Sequence, residues 1–248
     1  MKMIRVEGVV LREQPIKEQD RLVTILTKEQ GLLRAFANGA RNPKSRNLAA
    51  TSLLTYGSFS VSESSSGTLT IRESEVKESF FALRENLVAL SLAQYFAEVA
   101  AELAPAGDPA GEMLPLLLNA IHLLALGKKD PVIIKAGFEL RFCALAGFMP
   151  SLVACASCGT YESETMKFCP VSGRLFCENC TPPEAFVPVS LSVIYAMRHI
   201  CFSEPNRVFS FNIAGEAKEQ LEELSERYLR SVSNHNYKTL IFYKTMKR

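Results

Sequence analysis

Along the first eighty residues apolar and polar positions alternate with a period near two, and beyond residue 80 they recur every three or four. Met3 to Leu11 mixes Ile, Val and Leu with interposed polar residues, and Arg21 to Thr27 (RLVTILT) is apolar and β-branched. Leu32 to Ala37 follows a turn at Gly31, and Leu53 to Ser62 and Thr68 to Glu73 flank a Ser-rich turn ending at Gly67. Five short strands in this span predict a small closed or nearly closed barrel. By strand number alone an OB-type barrel, an SH3-like barrel and a sandwich all fit.

From residue 80 the three-four spacing of Leu87, Leu90, Ala93, Ala97 and Ala101 predicts a helix ended by Pro105 and Gly107. A second helix spans about 110–126 and stops at Gly127. A third opens with Asp130 as N-cap and Pro131 at the first helical position, with Ile134, Phe138 and either Phe142 or Leu145 on its inner face. It closes near Gly147. Helical pattern returns at 190–201, at 214–231 and at 237–246. The chain therefore reads as α+β, with a β-barrel domain at 1–79 and a helical domain at 80–248.

Two C-x-x-C pairs, Cys155/Cys158 and Cys177/Cys180, interrupt the helices with eighteen residues between them. Each pair can turn two sulfurs toward one point, and two such knuckles complete a tetrahedral thiolate shell for Zn²⁺. A redox dithiol or a disulfide pair is the competing reading. With four thiolates the ion would have no open position, so one structural zinc per chain is expected, in an insertion at about 152–186. Cys169 lies between the pairs and reads as a free thiol, and Cys143 as a small core residue.

Overall charge, +2 over 248 residues, says little, but its distribution says more. Residues 1–48 hold ten Lys/Arg against five acids, whereas the cysteine segment 154–185 has two basic side chains against four acidic ones. A polyanion-facing surface thus belongs to the amino end and not to the metal segment. Within that end, Asn38 to Asn47 (NGARNPKSRN) carries Gly39, Asn42 and Pro43, which predict an exposed loop presenting Arg41, Lys44 and Arg46 to phosphate oxygens.

The amino terminus interrupts its apolar residues with Arg5, Glu7 and Arg12 and does not read as a signal peptide. The apolar stretch Leu114 to Leu126 is too short to span a bilayer, so a cytoplasmic chain without membrane contact is expected. His122, His199 and His235 are scattered, and no Walker loop, G-x-G-x-x-G or G-x-S-x-G motif is present. Glu219, Glu222, Glu223 and Glu226 share a helix with Lys218, Arg227 and Arg230, the composition of a solvated face. No enzyme constellation stands out. Phe36, Tyr56, Phe59 and Phe80 are the aromatics of the β region, half or more of them expected in the barrel core.

The order of these parts resembles the bacterial RecO family. GVVLREQPIKEQDRLVTILTKEQGLLRAFANGARNPKSR is followed by helices and then by FELRFCALAGFMPSLVACASCG and GRLFCENC. The resemblance implies an amino-terminal OB-fold, a helical domain with a zinc-finger insertion, and a non-catalytic mediator of DNA repair and recombination. It further implies binding to single- and double-stranded DNA and annealing of complementary strands. Implied partners are RecR, the acidic C-terminal tail of the single-strand-binding protein and, indirectly, RecA, in the bacterial cytoplasm at the nucleoid. Carried across, Cys155, Cys158, Cys177 and Cys180 match the metal ligands, and Arg41, Lys44 and Arg46 match the basic loop. Arg12, Lys17, Arg21 and Arg34 match as further DNA contacts, and Arg141 is the candidate for the acidic-tail pocket. Cys169 departs from the small polar residue expected there. The rival reading is a zinc-ribbon factor that recruits proteins in transcription or translation; it would place positive charge on the ribbon.

Overall fold

The computed structural model describes residues 2–16 and 18–247. The chain forms two compact units, one running to Gly127 and completed by the segment that begins at Tyr237, the other spanning Lys128–Asn236.

In the first unit five strands close into a barrel: β1 (Lys2–Pro15), β2 (Arg21–Thr27), β3 (Gly31–Ala37), β4 (Tyr56–Glu63) and β5 (Leu69–Glu78). The order around the barrel is β1-β2-β3-β5-β4, antiparallel except where β3 meets β5. Inward-facing Val6, Val10, Val23, Ile25, Leu33, Ala35, Phe59 and Val61 fill it. The five expected strands are all present. β1 and β5 run beyond their expected ends, and Leu53–Leu54 belong to a turn, with Leu54 at φ 63°.

β1 carries a bulge between Val10 and Arg12. Val10 pairs with Ile25, both in the core, whereas Arg12 pairs with Thr24, which points outward. Strict alternation would send Arg12 inside with Val10. The extra residue, Leu11, puts Arg12 on the outer face instead.

A short helix α1 (Asn47–Ala50) follows the basic loop, and α2 (Leu87–Leu103) and α3 (Met113–Leu126) follow the barrel. Asn86 caps α2 by accepting from the Ala89 N–H, and Gly127 ends α3 in the left-handed conformation. The last helix, α7 (Lys238–Lys247), returns to pack on α2. There Glu98 accepts from the backbone N–H and the hydroxyl of Thr239, and the Tyr237 ring meets Tyr95 edge-on at 5.5 Å. Tyr95, Tyr237 and Tyr243 are all buried.

The second unit is built on α4 (Pro131–Leu145), with Asp130 as N-cap and Pro131 in its first turn. It packs against α5 (Leu191–Phe202) and α6 (Gly215–Ser233). α4 is buried on nearly every side, including Lys135 and Glu139, so a single inner face understates it, and of the two alternatives Phe142 is the one buried. Lys135 Nζ lies 2.8 Å from Glu139 and 3.3 Å from Glu226 of α6, and the Ser225 hydroxyl donates to Glu139. Burial alone would lower the Lys135 pKa, yet the two carboxylates hold it above its usual range. Glu226 is thus no part of a solvated face; it is a buried partner, while Glu223 and Arg227 remain exposed as expected.

Between α4 and α5 stands a three-stranded antiparallel sheet, β6 (Thr165–Cys169), β7 (Arg174–Cys177) and β8 (Val187–Ser190), in the order β7-β6-β8. Among the described residues no helix is long and apolar enough to cross a membrane.

Candidate nucleic-acid interface and metal centre

The basic loop is exposed at its cations and anchored at its roots. Arg41, Lys44 and Arg46 are all exposed. Ala40 between them and β3 is fully buried in the barrel core. Asp20 accepts from the Gly39 N–H at 2.8 Å, and the Arg41 N–H donates to the Gln19 carbonyl at 2.9 Å. Gly39 adopts φ 64°, a left-handed turn that a side chain would strain. Further on, Asn42 accepts from the Lys44 N–H, and Asn47 accepts from Ser74. The result is a folded turn that presents three cations without burying any.

Arg21 has a different task from the one its charge suggests. Its guanidinium lies 2.9 Å from Glu13 and donates to the Leu48 carbonyl and to the hydroxyls of Thr51 and Ser52. It therefore ties α1, and with it the end of the basic loop, to the barrel. Arg12 and Arg34 stand exposed on the outer face, one on each side of Thr24 in a row across β1, β2 and β3. Lys17 lies outside the described residues. Of the β-region aromatics, Phe59 and Phe80 are buried, while Phe36 and Tyr56 are half-buried.

In the second unit Cys155, Cys158, Cys177 and Cys180 bring their sulfurs within 4.8 Å of one another. The Cys158 and Cys177 sulfurs are 3.6 Å apart. A tetrahedral shell at the usual zinc–sulfur distance has edges of about 3.8 Å, so the four residues fit a metal ion. The first knuckle closes through Gly159, whose N–H donates to the Cys155 carbonyl, and the Ala156 N–H joins it to β7 at Leu175. The second knuckle leaves β7 directly, and Lys167 Nζ braces it by donating to the carbonyls of Glu178 and Cys180 at 2.9 Å.

Burial raises the Cys155 pKa, but hydrogen bonding from the backbone of Cys158, Cys177 and Ser157 outweighs it and brings the thiol to about 6. At Cys180 the Ser157 hydroxyl favours the thiolate, yet the neighbouring thiols and desolvation push it up to about 12. Four thiols this close cannot all ionise unless a cation joins them. Cys169 is buried and, among the described residues, outside the cluster.

Sequence reasoning passed over Arg198. Buried on α5, it donates to the carbonyls of Leu152, Val153 and Tyr161, pairs with Glu162 at 3.1 Å, and stacks 4.1 Å from the Tyr161 ring centroid. It clasps the chain on both sides of the first knuckle. A lone arginine in an apolar helical stretch (LSVIYAMRHICF) was the available signal. Arg141, half-buried on α4, donates to the Cys201 carbonyl at the end of α5.

A closed five-stranded barrel with a basic loop, followed by helices that carry a four-thiol ribbon able to hold a metal ion, defines an OB-type class of α+β protein. Comparison with known families narrows this. The family model for the recombination protein O N terminal matches residues 1–80, and that for the recombination protein O C terminal matches 84–241. The chain belongs to the RecO family: it is a DNA repair and recombination protein, and not an enzyme. The DNA repair protein RecO of Acetivibrio thermocellus is 30% identical over 249 residues, covering 100% of this chain and 99% of the relative. That of Symbiobacterium thermophilum is 30% identical over 251 residues, with the same coverage. The RecO of an Anaeromyxobacter species is 38% identical over 184 residues, 73% of this chain and 72% of the relative.

Proposed function

We propose that this chain is a recombination mediator that binds single- and double-stranded DNA through its barrel and anneals complementary strands. In this role it helps load the recombinase RecA onto DNA coated with single-strand-binding protein, working with RecR in the bacterial cytoplasm. The observation that carries the reading is the anchored loop with Arg41, Lys44 and Arg46 exposed on a rigid barrel. Cations fixed on a pre-ordered loop reach phosphates without an ordering cost, and such contacts are sequence-blind and salt-dependent. Arg12 and Arg34 extend this surface, Lys17 is a further DNA contact by the family resemblance alone, and Arg21 acts through its anchoring of α1.

The four thiols are proposed to hold one structural Zn²⁺, which orders a lobe whose sheet is too small to fold on its own core. For the acidic tail of the single-strand-binding protein, a cation beside an apolar cleft is required. Arg141 is directed to the Cys201 carbonyl, whereas a groove of about 290 Å³ lined by Pro170, Val171, Phe186, Arg227 and Arg230 supplies both elements.

The test is annealing of complementary strands precoated with single-strand-binding protein. Wild-type chain is expected to accelerate it. The Arg41→Ala/Lys44→Ala/Arg46→Ala variant is expected to bind all sequences more weakly, with a flatter dependence of affinity on salt. Unchanged affinity of that variant at low salt would remove the loop from the interface, and failure of the wild-type chain to anneal would overturn the mediator reading.

A further inference from the structure

The thiol lobe carries an excess of acids that its four sulfurs do not use. Segment 154–185 holds two basic side chains against four acidic ones, and both cations are committed. Lys167 donates to the carbonyls of Glu178 and Cys180, and Arg174 pairs with Glu184 at 3.1 Å. The carboxylates of Glu164 and Glu178 are exposed and, among the described residues, have no ion-pair partner. A divalent ion held by four thiolates would leave two further negative charges beside them.

Against this acidic rim stands a patch of exposed apolar surface. Val153, Tyr161 and Tyr195 are 60%, 56% and 49% exposed. They meet around one buried guanidinium. Arg198 lies under the Tyr161 ring and donates to the Val153 carbonyl, while Glu162 pairs with Arg198 and accepts from the Tyr195 hydroxyl at 2.9 Å. Ser163 joins the rim to the patch, its hydroxyl accepting from the Glu178 N–H at 3.4 Å. The two rings are therefore fixed before anything lands on them, which removes the ordering cost of a loose surface.

We propose that this face docks an extended segment of a partner protein in which arginines or lysines alternate with apolar side chains. Charge selects the occupant. Carboxylates without cations repel a nucleic acid and attract a basic chain. Tyrosine rings supply area for an apolar anchor and a face on which an arginine can stack. Size narrows it further, since the three side chains together expose on the order of 300 Å², enough to mark an interaction site. A stable interface between two folded chains takes about 800 Å² from each. A peptide segment fits this face and a second copy of this chain does not. The basic loop would then hold nucleic acid while the acidic lobe holds protein.

The experiment measures binding of a fluorescein-labelled peptide alternating arginine and leucine to the full chain at low salt. The same peptide with glutamate in place of arginine is the comparison. The arginine peptide is expected to bind and the glutamate peptide is not. Val153→Ser/Tyr195→Ser removes two anchors but leaves Tyr161 and the carbonyls that hold Arg198. Glu164→Gln/Glu178→Gln removes rim charge from exposed positions and spares the fold. Each is expected to weaken the arginine peptide about tenfold. Glu73→Gln/Glu75→Gln makes the same charge change at exposed positions of β5, and is expected to shift affinity less than about twofold. Failure of the arginine peptide to bind, equal binding of the glutamate peptide, unchanged affinity in either patch variant, or equal loss in the β5 variant overturns the proposal. A concentration-dependent dimer that Val153→Ser/Tyr195→Ser abolishes would give the face to a second copy, and a fall in DNA affinity in that variant would give it to nucleic acid. Either result also overturns it.

Discussion

Lys135 is the residue whose removal the second unit should tolerate least. It neutralises Glu139 and Glu226 in a buried site, and deleting it removes the cation between the two carboxylates, with Arg230 reaching Glu226 only from the exposed side at 3.9 Å. Breaking such a buried arrangement from one side costs about 3–5 kcal/mol. Lys135→Met should therefore lower the unfolding midpoint sharply in a denaturant titration, and Lys135→Met combined with Glu139→Leu and Glu226→Leu should recover much of the loss. No recovery would mean that the charges are not the reason for the damage. In the sequence Lys135 and Glu226 look like any helix-surface pair. Their meeting joins positions 91 residues apart, which no local pattern encodes. The same holds for Arg21 and Arg12. Both are cations in β-strands near the basic loop, but one has Glu13 and α1 within reach and the other faces a recess. The four cysteines were legible because their spacing carries the geometry with it.

At the level of elements, strand and helix periodicity located the five barrel strands and the principal helices, since one face of each is buried and the period survives. The sheet of the thiol lobe escaped, because β6, β7 and β8 are only four or five residues long and their apolar positions lie among cysteines and turns. α1 escaped for a similar reason: four residues give no period. The bulge in β1 could not be read from VVLRE, where an unbroken apolar run hides the point at which alternation slips. What holds the first knuckle is a further element-level matter. Arg198 on α5 gathers Leu152, Val153, Tyr161 and Glu162 around one guanidinium, so α5 fixes the segment from which Cys155 and Cys158 project. Arg198→Ala is expected to destabilise the lobe by about 2–3 kcal/mol, the range for hydrogen bonds to a charged group left unmade in a buried site. It should also speed metal loss to a chelator while leaving DNA affinity unchanged. A variant that keeps its metal as firmly as wild type would assign Arg198 to packing alone.

At the scale of the molecule, the segment from Tyr237 through α7 belongs with the barrel-bearing unit, although the whole second unit precedes it in the chain. Removing residues 237–248 is expected to expose α2, with faster amide exchange at Tyr95 and Glu98 and easier proteolysis of the first unit, while the thiol lobe keeps its protection. Equal loosening of both units would contradict this assignment.

That closing helix has a consequence for how the protein is made. A barrel at the amino end would ordinarily be free to finish folding while the ribosome is still working. Here α2 waits for a partner that follows the whole second unit in the chain, and that unit must emerge in the interval. A premature stop just before α7 would therefore be felt first in the unit made earliest, as a barrel-bearing half whose α2 lacks its cover.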